Sequence, residues 1–424
     1  MAGSASTAPT GPATPVPPGA TAPRLHRPLP PLPPGSWLGL LGGGQLGRMF
    51  CMAAQSMGYR VCVLDPGADS PAGSVADRHL RADYLDEGAL REMADTCRAT
   101  TTEFENVPAR ALEFLAAYGI VSPAAGSVAI AQDRMAEKAF VRGCGLDIAP
   151  YVDVRSADDL RAAPPGLFPA ILKVTRLGYD AKGQASVASI GQALDAFAKF
   201  GRVPCVLEKR LSLELEISVV VARGFDGRSV AYPVAENVHR AGILAVSTVP
   251  ARISQDLALR AVDATRRLAD AMDYVGVLCV EFFVLADGSL RVNEMAPRPH
   301  NSGHYTIDAC ITSQFEQQAR VLAGLPLGST HQHQSAVMLN VLGDCWFDQP
   351  GDAQPSVAPR EPDWTVVLGH PSAKLHLYGK REARRGRKMG HVTVLADAVD
   401  EAVRVAVQIE RELGIGAPGE PIRP

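Results

Sequence analysis

Two glutamates, Glu281 and Glu294, stand at equal distances along the chain from an Asp287-Gly288 pair. Asp-Gly favours a two-residue type I′ turn between antiparallel strands. With that turn at the centre, the two acids face each other across the strands at ~5 Å between Cβ atoms. Their neighbours are apolar or weakly polar: Cys279-Val280-Glu281-Phe282-Phe283 on one strand, Val292-Asn293-Glu294-Met295 on the other. Like charges face to face in such surroundings are unfavourable unless a cation bridges them. Oxygen-only ligands suit Mg²⁺ or Mn²⁺ rather than zinc, and two carboxylates leave room for substrate phosphates in the shell. The competing reading is a solvated face with two unrelated acids, or a register shifted one residue by a bulge.

Phosphate-binding groups lie upstream. Ile171-Leu172-Lys173 is an apolar strand ending in lysine, followed by Arg176-Leu177-Gly178-Tyr179-Asp180-Ala181-Lys182-Gly183-Gln184. A loop with glycines at both ends and a lysine inside can close over a triphosphate, offering N–H groups and ammonium charge; an ordinary hairpin loop has the same composition. Val203–Leu207 runs into Glu208, where an acid after a buried strand can meet an adenine amino group or ribose hydroxyls. His239 alone reads as a surface histidine. The run Lys380–Lys388 holds six Lys or Arg against one Glu, an anion grip, a solvated loop or a small nucleic-acid patch.

Gly42-Gly43-Gly44-Gln45-Leu46-Gly47 fits G-x-G-x-x-G between a strand and a helix, and Asp65 ends the next strand. That is a dinucleotide arrangement, and alone it supports an NAD-dependent oxidoreductase. The same spacing serves any tight strand-to-helix turn or another anion, so it decides nothing by itself.

These residues need elements to hold them. The chain has 424 residues, 46% hydrophobic and 21% charged, an ordinary soluble composition with room for more than one domain. A net charge of −3 gives no global pull toward nucleic acid or anionic membrane. No apolar run approaches the ~18 residues of a membrane helix, and no secretory signal opens the chain. The eight cysteines form no C-x-x-C pair and read as reduced residues of a cytoplasmic protein. Residues 1–35 are rich in Pro, Ala, Gly and Thr and read as a disordered tail. Strands alternating with helices over 36–132 predict a doubly wound α/β domain. Residues 133–330 read as an α+β domain of antiparallel ribbons, and 331–424 as a smaller β-rich unit. That unit has strands at Ala336–Leu342 and near Val366 and Leu375, then a helix over 398–413.

In order, the motifs resemble the ATP-grasp superfamily, and within it the 5-(carboxyamino)imidazole ribonucleotide synthases of purine biosynthesis. The resemblance covers residues 38–410. It rests on Gly44-Gln45-Leu46-Gly47-Arg48-Met49, Thr102-Glu103-Phe104-Glu105-Asn106-Val107, Gln132-Asp133-Arg134, Gly178–Gln184, Ala222–Gly227 and Tyr274–Val277. Its most specific stretches are Asn293–His304, Tyr378-Gly379-Lys380 and Gly386–His391. It implies that ATP phosphorylates bicarbonate to carboxyphosphate, which carboxylates the amine of aminoimidazole ribonucleotide. Another ATP-grasp carboxylase or ligase is the nearer alternative, the oxidoreductase the farther one. The resemblance also implies a homodimer, and the charge and hydropathy above point to no nucleic-acid or membrane partner. Carried over, Arg134 and Lys173 contact ATP phosphates, while Gly178, Tyr179, Asp180, Ala181, Lys182 and Gly183 form a lid. Glu208, Lys209, Arg210, Leu211, Glu216 and His239 hold the nucleoside, with Asn293 beside it and Glu281 and Glu294 on Mg²⁺ (or Mn²⁺). Tyr179, Asp180 and Lys182 fall to catalysis, Asp180 accepting the amine's proton. Lys380 and Arg387 grip the ribonucleotide phosphate with Arg298, Asn301, Ser302 and His304, and Gln45 and Glu103 line that pocket. The sequence departs from the pattern at Leu177 and Ala181, where glycines are common. It departs again at Ala296, where the superfamily often places a metal-binding Asn.

Overall fold

The computed structural model describes residues 30–176, 178, 183–347 and 359–415. Tyr179, Asp180, Ala181 and Lys182 of the expected lid, with Leu177 and most of the expected tail, lie outside them.

Five parallel strands open the fold: β1 (Trp37–Leu41), β2 (Arg60–Leu64), β3 (Arg78–Leu80), β4 (Ala99–Thr102) and β5 (Ile120–Val121), ordered β3-β2-β1-β4-β5. β1 is buried from Leu38 to Leu41 because helices cover both faces, hence its unbroken apolar run. The strand order reverses between β1 and β4, where α/β sheets characteristically bind ligands. The Gly42 turn leaves β1 there and Glu103 follows β4, with Glu103 N–H donating to Leu41 O at 3.0 Å.

Four antiparallel strands follow: β6 (Tyr151–Val154), β7 (Ala170–Val174), β8 (Gln184–Val187) and β9 (Cys205–Lys209), ordered β6-β9-β7-β8. One face packs against the helices Ala157–Arg161 and Ile190–Lys199 through Leu160, Ala193 and Phe197. The other faces the cleft described below.

The largest sheet has nine strands among the described residues. They are β10 (Leu213–Arg223), β11 (Ser229–Ala231), β12 (Ala235–Arg240), β13 (Ile243–Val249), β14 (Gly276–Leu285), β15 (Leu290–Ala296), β16 (Ser335–Leu342), β17 (Ala373–Leu377) and β18 (Lys388–Ala396). The C-terminal strands continue this sheet, since β16 pairs with β13. The strand expected near Val366 is a helical turn, Thr365–Leu368; Lys388–Ala396 supplies a strand instead, and the last helix is Val399–Leu413. The helix Gln314–Leu322 ties the large sheet to the first domain. Its Phe315, Ala319 and Leu322 share a core with Leu40 and Phe50, and Gln318 Nε2 donates to Thr101 Oγ1 at 3.0 Å. The cysteines are free, and no helix among the described residues is long and apolar enough to cross a membrane.

Candidate active site

β14 and β15 form the hairpin that carries the acid pair, and Glu281 pairs with Glu294. The turn differs from the expected one. Gly288 N–H donates to Leu285 O at 2.8 Å and Leu285 N–H to Ser289 O at 3.0 Å, closing a three-residue loop with Gly288 at φ +72°. Phe282 therefore pairs with Val292 and Phe283 with Arg291, a register that would set Glu281 against Asn293. A bulge absorbs Asn293 and restores Glu294 opposite Glu281. Two departures from the ideal hairpin cancel. The bulge also releases Asn293 from strict alternation, so it lines the same cleft as both glutamates. Its Oδ1 is buried without a hydrogen-bond partner, an oxygen left for a ligand.

The two acids are held differently. Burial, and then Glu294 opposite, push Glu281 up to about 7 against the pull of His239. Glu294 stays below the usual carboxylate range: burial opposes this, but Arg134 and Lys173 prevail, with Arg134 Nη1 3.0 Å from its Oε2. His239 lies 2.9 Å from Glu216; against its own burial, Glu216, Glu281 and Glu294 raise it to about 9. Among the described residues no group of three or more His, Cys, Asp or Glu suits a metal. The protein thus offers two carboxylates and the Asn293 oxygen, a set of hard oxygen donors of the kind that suits Mg²⁺.

A cleft of about 710 Å³ opens between the four-stranded and nine-stranded sheets. The expected nucleotide contacts within the described residues all line it: Arg134, Lys173, Gly178, Gly183, Glu208, Lys209, Arg210, Leu211, Glu216, His239, Asn293 and Glu294. Glu208 is held in place by two lysines: Lys138 Nζ meets Oε1 and Lys173 Nζ meets Oε2 at 2.5 Å. Despite burial, Lys173 and Lys138 bring Glu208 down to about 2. Sequence reasoning missed Lys138. Its one signal is helical position, on the face of Arg134 one turn before and Val141 one turn after.

A second pocket, about 650 Å³, lies between the first domain and the end of the large sheet. Gln45, Glu103, Arg298, Asn301, Lys380 and Arg387 meet there as expected, with Arg384, Lys388 and His300 added. Both polar atoms of the Asn301 side chain are buried without partners. Arg298 is paired with Glu105, and Lys380 Nζ donates to Lys388 O at 2.6 Å. Ser302 and His304 do not line the pocket. Ser302 Oγ accepts from Ser218 Oγ at 2.7 Å, and His304 is buried against His391 with ring centroids 4.8 Å apart. They brace the wall from behind.

Glu103 decides the glycine turn. Its carboxylate accepts from Gly44 N–H at 2.7 Å and Gly47 N–H at 3.0 Å, so the chain's own acid fills the anion site at that helix N-terminus. A Cβ on Gly44 would lie 2.5 Å from Glu103 Oε1; the glycines admit Glu103, not a pyrophosphate. The dinucleotide reading fails for that reason.

Between the cleft and the pocket is a recess of about 130 Å³ whose walls include Glu281, Glu294, Arg298, His300 and Lys388. Ser302 N–H donates to His300 Nδ1 at 3.3 Å, and the other ring nitrogen lies 3.5 Å from Glu281 Oε1. Burial, reinforced by Arg298 and Lys388, pushes His300 well below its ordinary value, so it is a neutral imidazole. A triphosphate-sized cleft, an anion-sized recess and a cation-lined pocket thus stand in a row.

Comparison with known proteins gives three family matches. They are the Ribonucleotide synthetase preATP-grasp domain over residues 36–132, the ATP-grasp domain over 139–315, and the Phosphoribosylaminoimidazole carboxylase C-terminal domain over 336–404. The chain is 48% identical over 363 residues to N5-carboxyaminoimidazole ribonucleotide synthase of Brucella melitensis, covering 85% of this chain and 96% of that protein. To the protein of the same name from Bacillus subtilis it is 41% identical over 372 residues, 88% and 94% of the two chains. The crystal structure of N5-carboxyaminoimidazole synthase from Aspergillus clavatus, in complex with ADP and 5-aminoimidazole ribonucleotide, superposes with a TM-score of 0.79. It is 31% identical and covers 90% of this chain and 99% of its own.

Proposed function

The chain belongs to the N5-carboxyaminoimidazole ribonucleotide synthase family, and from that footing we propose how its residues divide the work. It is an ATP-dependent ligase that converts 5-aminoimidazole ribonucleotide to N5-carboxyaminoimidazole ribonucleotide in purine biosynthesis. The observation that carries the division is the recess, which joins the acid pair on one side to the cation-lined pocket on the other.

ATP occupies the larger cleft, with Arg134 and Lys173 toward its phosphates. Bicarbonate lies in the recess, where Arg298, Lys388 and the neutral His300 present donors. A bicarbonate oxygen attacks the γ-phosphorus, the bond to the bridging oxygen breaks, and ADP leaves. Carboxyphosphate then breaks at its C–O bond; its proton goes to phosphate and CO₂ is released. The exocyclic amine of the ribonucleotide attacks that carbon, forming the N–C bond and giving up a proton, which we assign to Asp180. Donors fixed around the recess stabilise the charge without reorganising, and the enclosure keeps water from the carboxyphosphate. Glu281, Glu294 and Asn293 fit Mg²⁺, which when bound neutralises phosphate charge. Lys380, Arg387 and Asn301 face the ribonucleotide, and Glu103 shapes its pocket by holding the glycine turn.

In this reading residues 36–132 and 331–424 close the ribonucleotide pocket over the 133–330 unit. The protein works as a cytoplasmic homodimer, a state that sedimentation of the purified chain tests. The decisive assay is ADP formation with bicarbonate and ribonucleotide varied independently. ADP should form only when both are present. ATP turnover indifferent to the ribonucleotide, or driven by another amine, would point to a different ATP-grasp carboxylase.

A further inference from the structure

Helix Arg134–Gly143 carries two charged residues in sequence, Glu137 and Lys138, that are 3% and 2% exposed. Neighbours on a helix point about 100° apart, so they do not pair with each other. Each reaches a different sheet. The Glu137 carboxylate accepts the N–H of Met295, the residue after Glu294 on β15. β15 is an edge strand among the described residues. On its outer side Val292 N–H donates to Asp147 O at 2.8 Å, and Met295 N–H, farther along, finds its acceptor in Glu137, as a buried donor must find one. Lys138 reaches the other way, to Glu208 Oε1 on β9. The same helix also meets the end of β7, where Arg134 N–H donates to the O of Thr175, the residue after the strand, at 3.0 Å.

We propose that Glu137 and Lys138 are positioning residues that set, from one helix, the metal-bearing edge and the nucleotide-bearing floor of the cleft. The inference rests on the reading of Glu281 and Glu294 as magnesium ligands. Glu137 pins the strand just past the bulge, and the bulge is what turns Glu294 toward Glu281. With Met295 released, the strand can straighten toward the register in which Asn293 takes that place. Lys138 acts on the floor. Glu208 has two oxygens, and Lys138 answers one, so Lys173 spends one of its three donors on the other and keeps the rest for phosphate. Without Lys138, the buried acid draws Lys173 away from the nucleotide.

The two roles separate in one experiment on the full chain: Mg²⁺ titrations of turnover beside calorimetric ADP binding without metal. Glu137→Ala should raise the Mg²⁺ needed for half-maximal turnover by about 10–100-fold, the usual cost of losing an outer partner of a ligand. Glu137→Gln, which keeps an acceptor oxygen, should restore most of it. Lys138→Met should weaken metal-free ADP binding about 10-fold and move the Mg²⁺ requirement far less. Equal losses of metal and nucleotide affinity in both variants would show a merely structural helix and overturn the inference. If Glu137→Ala does not fold, Glu137→Asp keeps the charge but falls one methylene short of Met295; a wild-type Mg²⁺ requirement there overturns it too. Glu294→Gln separates the premise from the inference. If it leaves the Mg²⁺ requirement unchanged, the metal reading itself fails. If it raises the requirement while Glu137→Ala does not, only the positioning role fails.

Discussion

The glycine turn at Gly42–Gly47 and the hairpin of β14 and β15 advertise opposite charges in the same way, by a turn motif beside an acid. Their structures diverge in one respect. At the turn the chain answers its own signal: Glu103 accepts both Gly44 and Gly47 N–H groups, and nothing is left for a ligand phosphate. At the hairpin the signal stays open. Glu281 and Glu294 face each other, Asn293 Oδ1 has no partner, and all three line a cleft large enough for a nucleotide. A binding motif therefore marks a site only where the fold leaves its charge unanswered, and that is settled by residues far away in sequence.

The largest effect should come from breaking the open site. Glu294→Gln should lower turnover by about 10²–10³-fold, the scale of removing one group that stabilises transition-state charge, with ribonucleotide KM little changed in steady-state assays. Activity within a few-fold of wild type would remove Glu294 from the metal site. Next, Lys380→Ala should raise the KM for ribonucleotide about 10-fold, the loss of one charge-assisted contact, and leave that for ATP alone. Equal shifts in both would undo the separation of cleft and pocket. At the filled site, Gly44→Ala should cost about 1–3 kcal/mol in denaturant unfolding, because its Cβ meets Glu103 Oε1 at 2.5 Å. An unchanged midpoint, or NAD(H) binding by the wild type, would contradict the filled-site account.

Glu208 sharpens the contrast from within the cleft, as an acid answered by Lys173 and Lys138. Its folded value of about 2 lies below the ordinary 4.5. Unfolded chains therefore bind the proton more readily between those values, and stability rises with pH across that window. The contribution is present above 4.5 and is lost as pH falls toward 2. Glu208→Gln should remove that part of the slope, so its unfolding free energy should fall less steeply with acid than the wild type's. Parallel curves would mean the lysines do not hold the carboxylate.

Much of this was legible in the sequence. The periods of strand and helix place the α/β domain, and the motif order supplies the family. Buried charges and hydroxyls outside the motifs, and the partners behind motif residues, were not legible. Lys138 reads as a helix surface residue until β9 is laid against it, and Ser302 and His304 look like pocket residues until Ser218 and His391 are found behind them. Those facts depend on contacts across long sequence separations; helical spacing gives the face that Lys138 shares with Arg134 and Val141 but not the partner it meets. The continuity of β16 with β13 is hidden for the same reason.

The hairpin register is the subtlest case, because the expected pairing is observed for a different reason. The loop has Gly288 at φ +72° where a side chain is strained, and the bulge at Asn293 corrects the register that this loop sets. Gly288→Ala should therefore cost stability, about 1–2 kcal/mol for a left-handed non-glycine residue, because no atom crowds the new Cβ. It should leave the Mg²⁺ requirement of turnover where it was, since the bulge lies beyond the Phe282–Val292 pair and Met295 remains held by Glu137. A raised Mg²⁺ requirement in Gly288→Ala, at a temperature where the variant is fully folded, would return control of the acid pair to the turn.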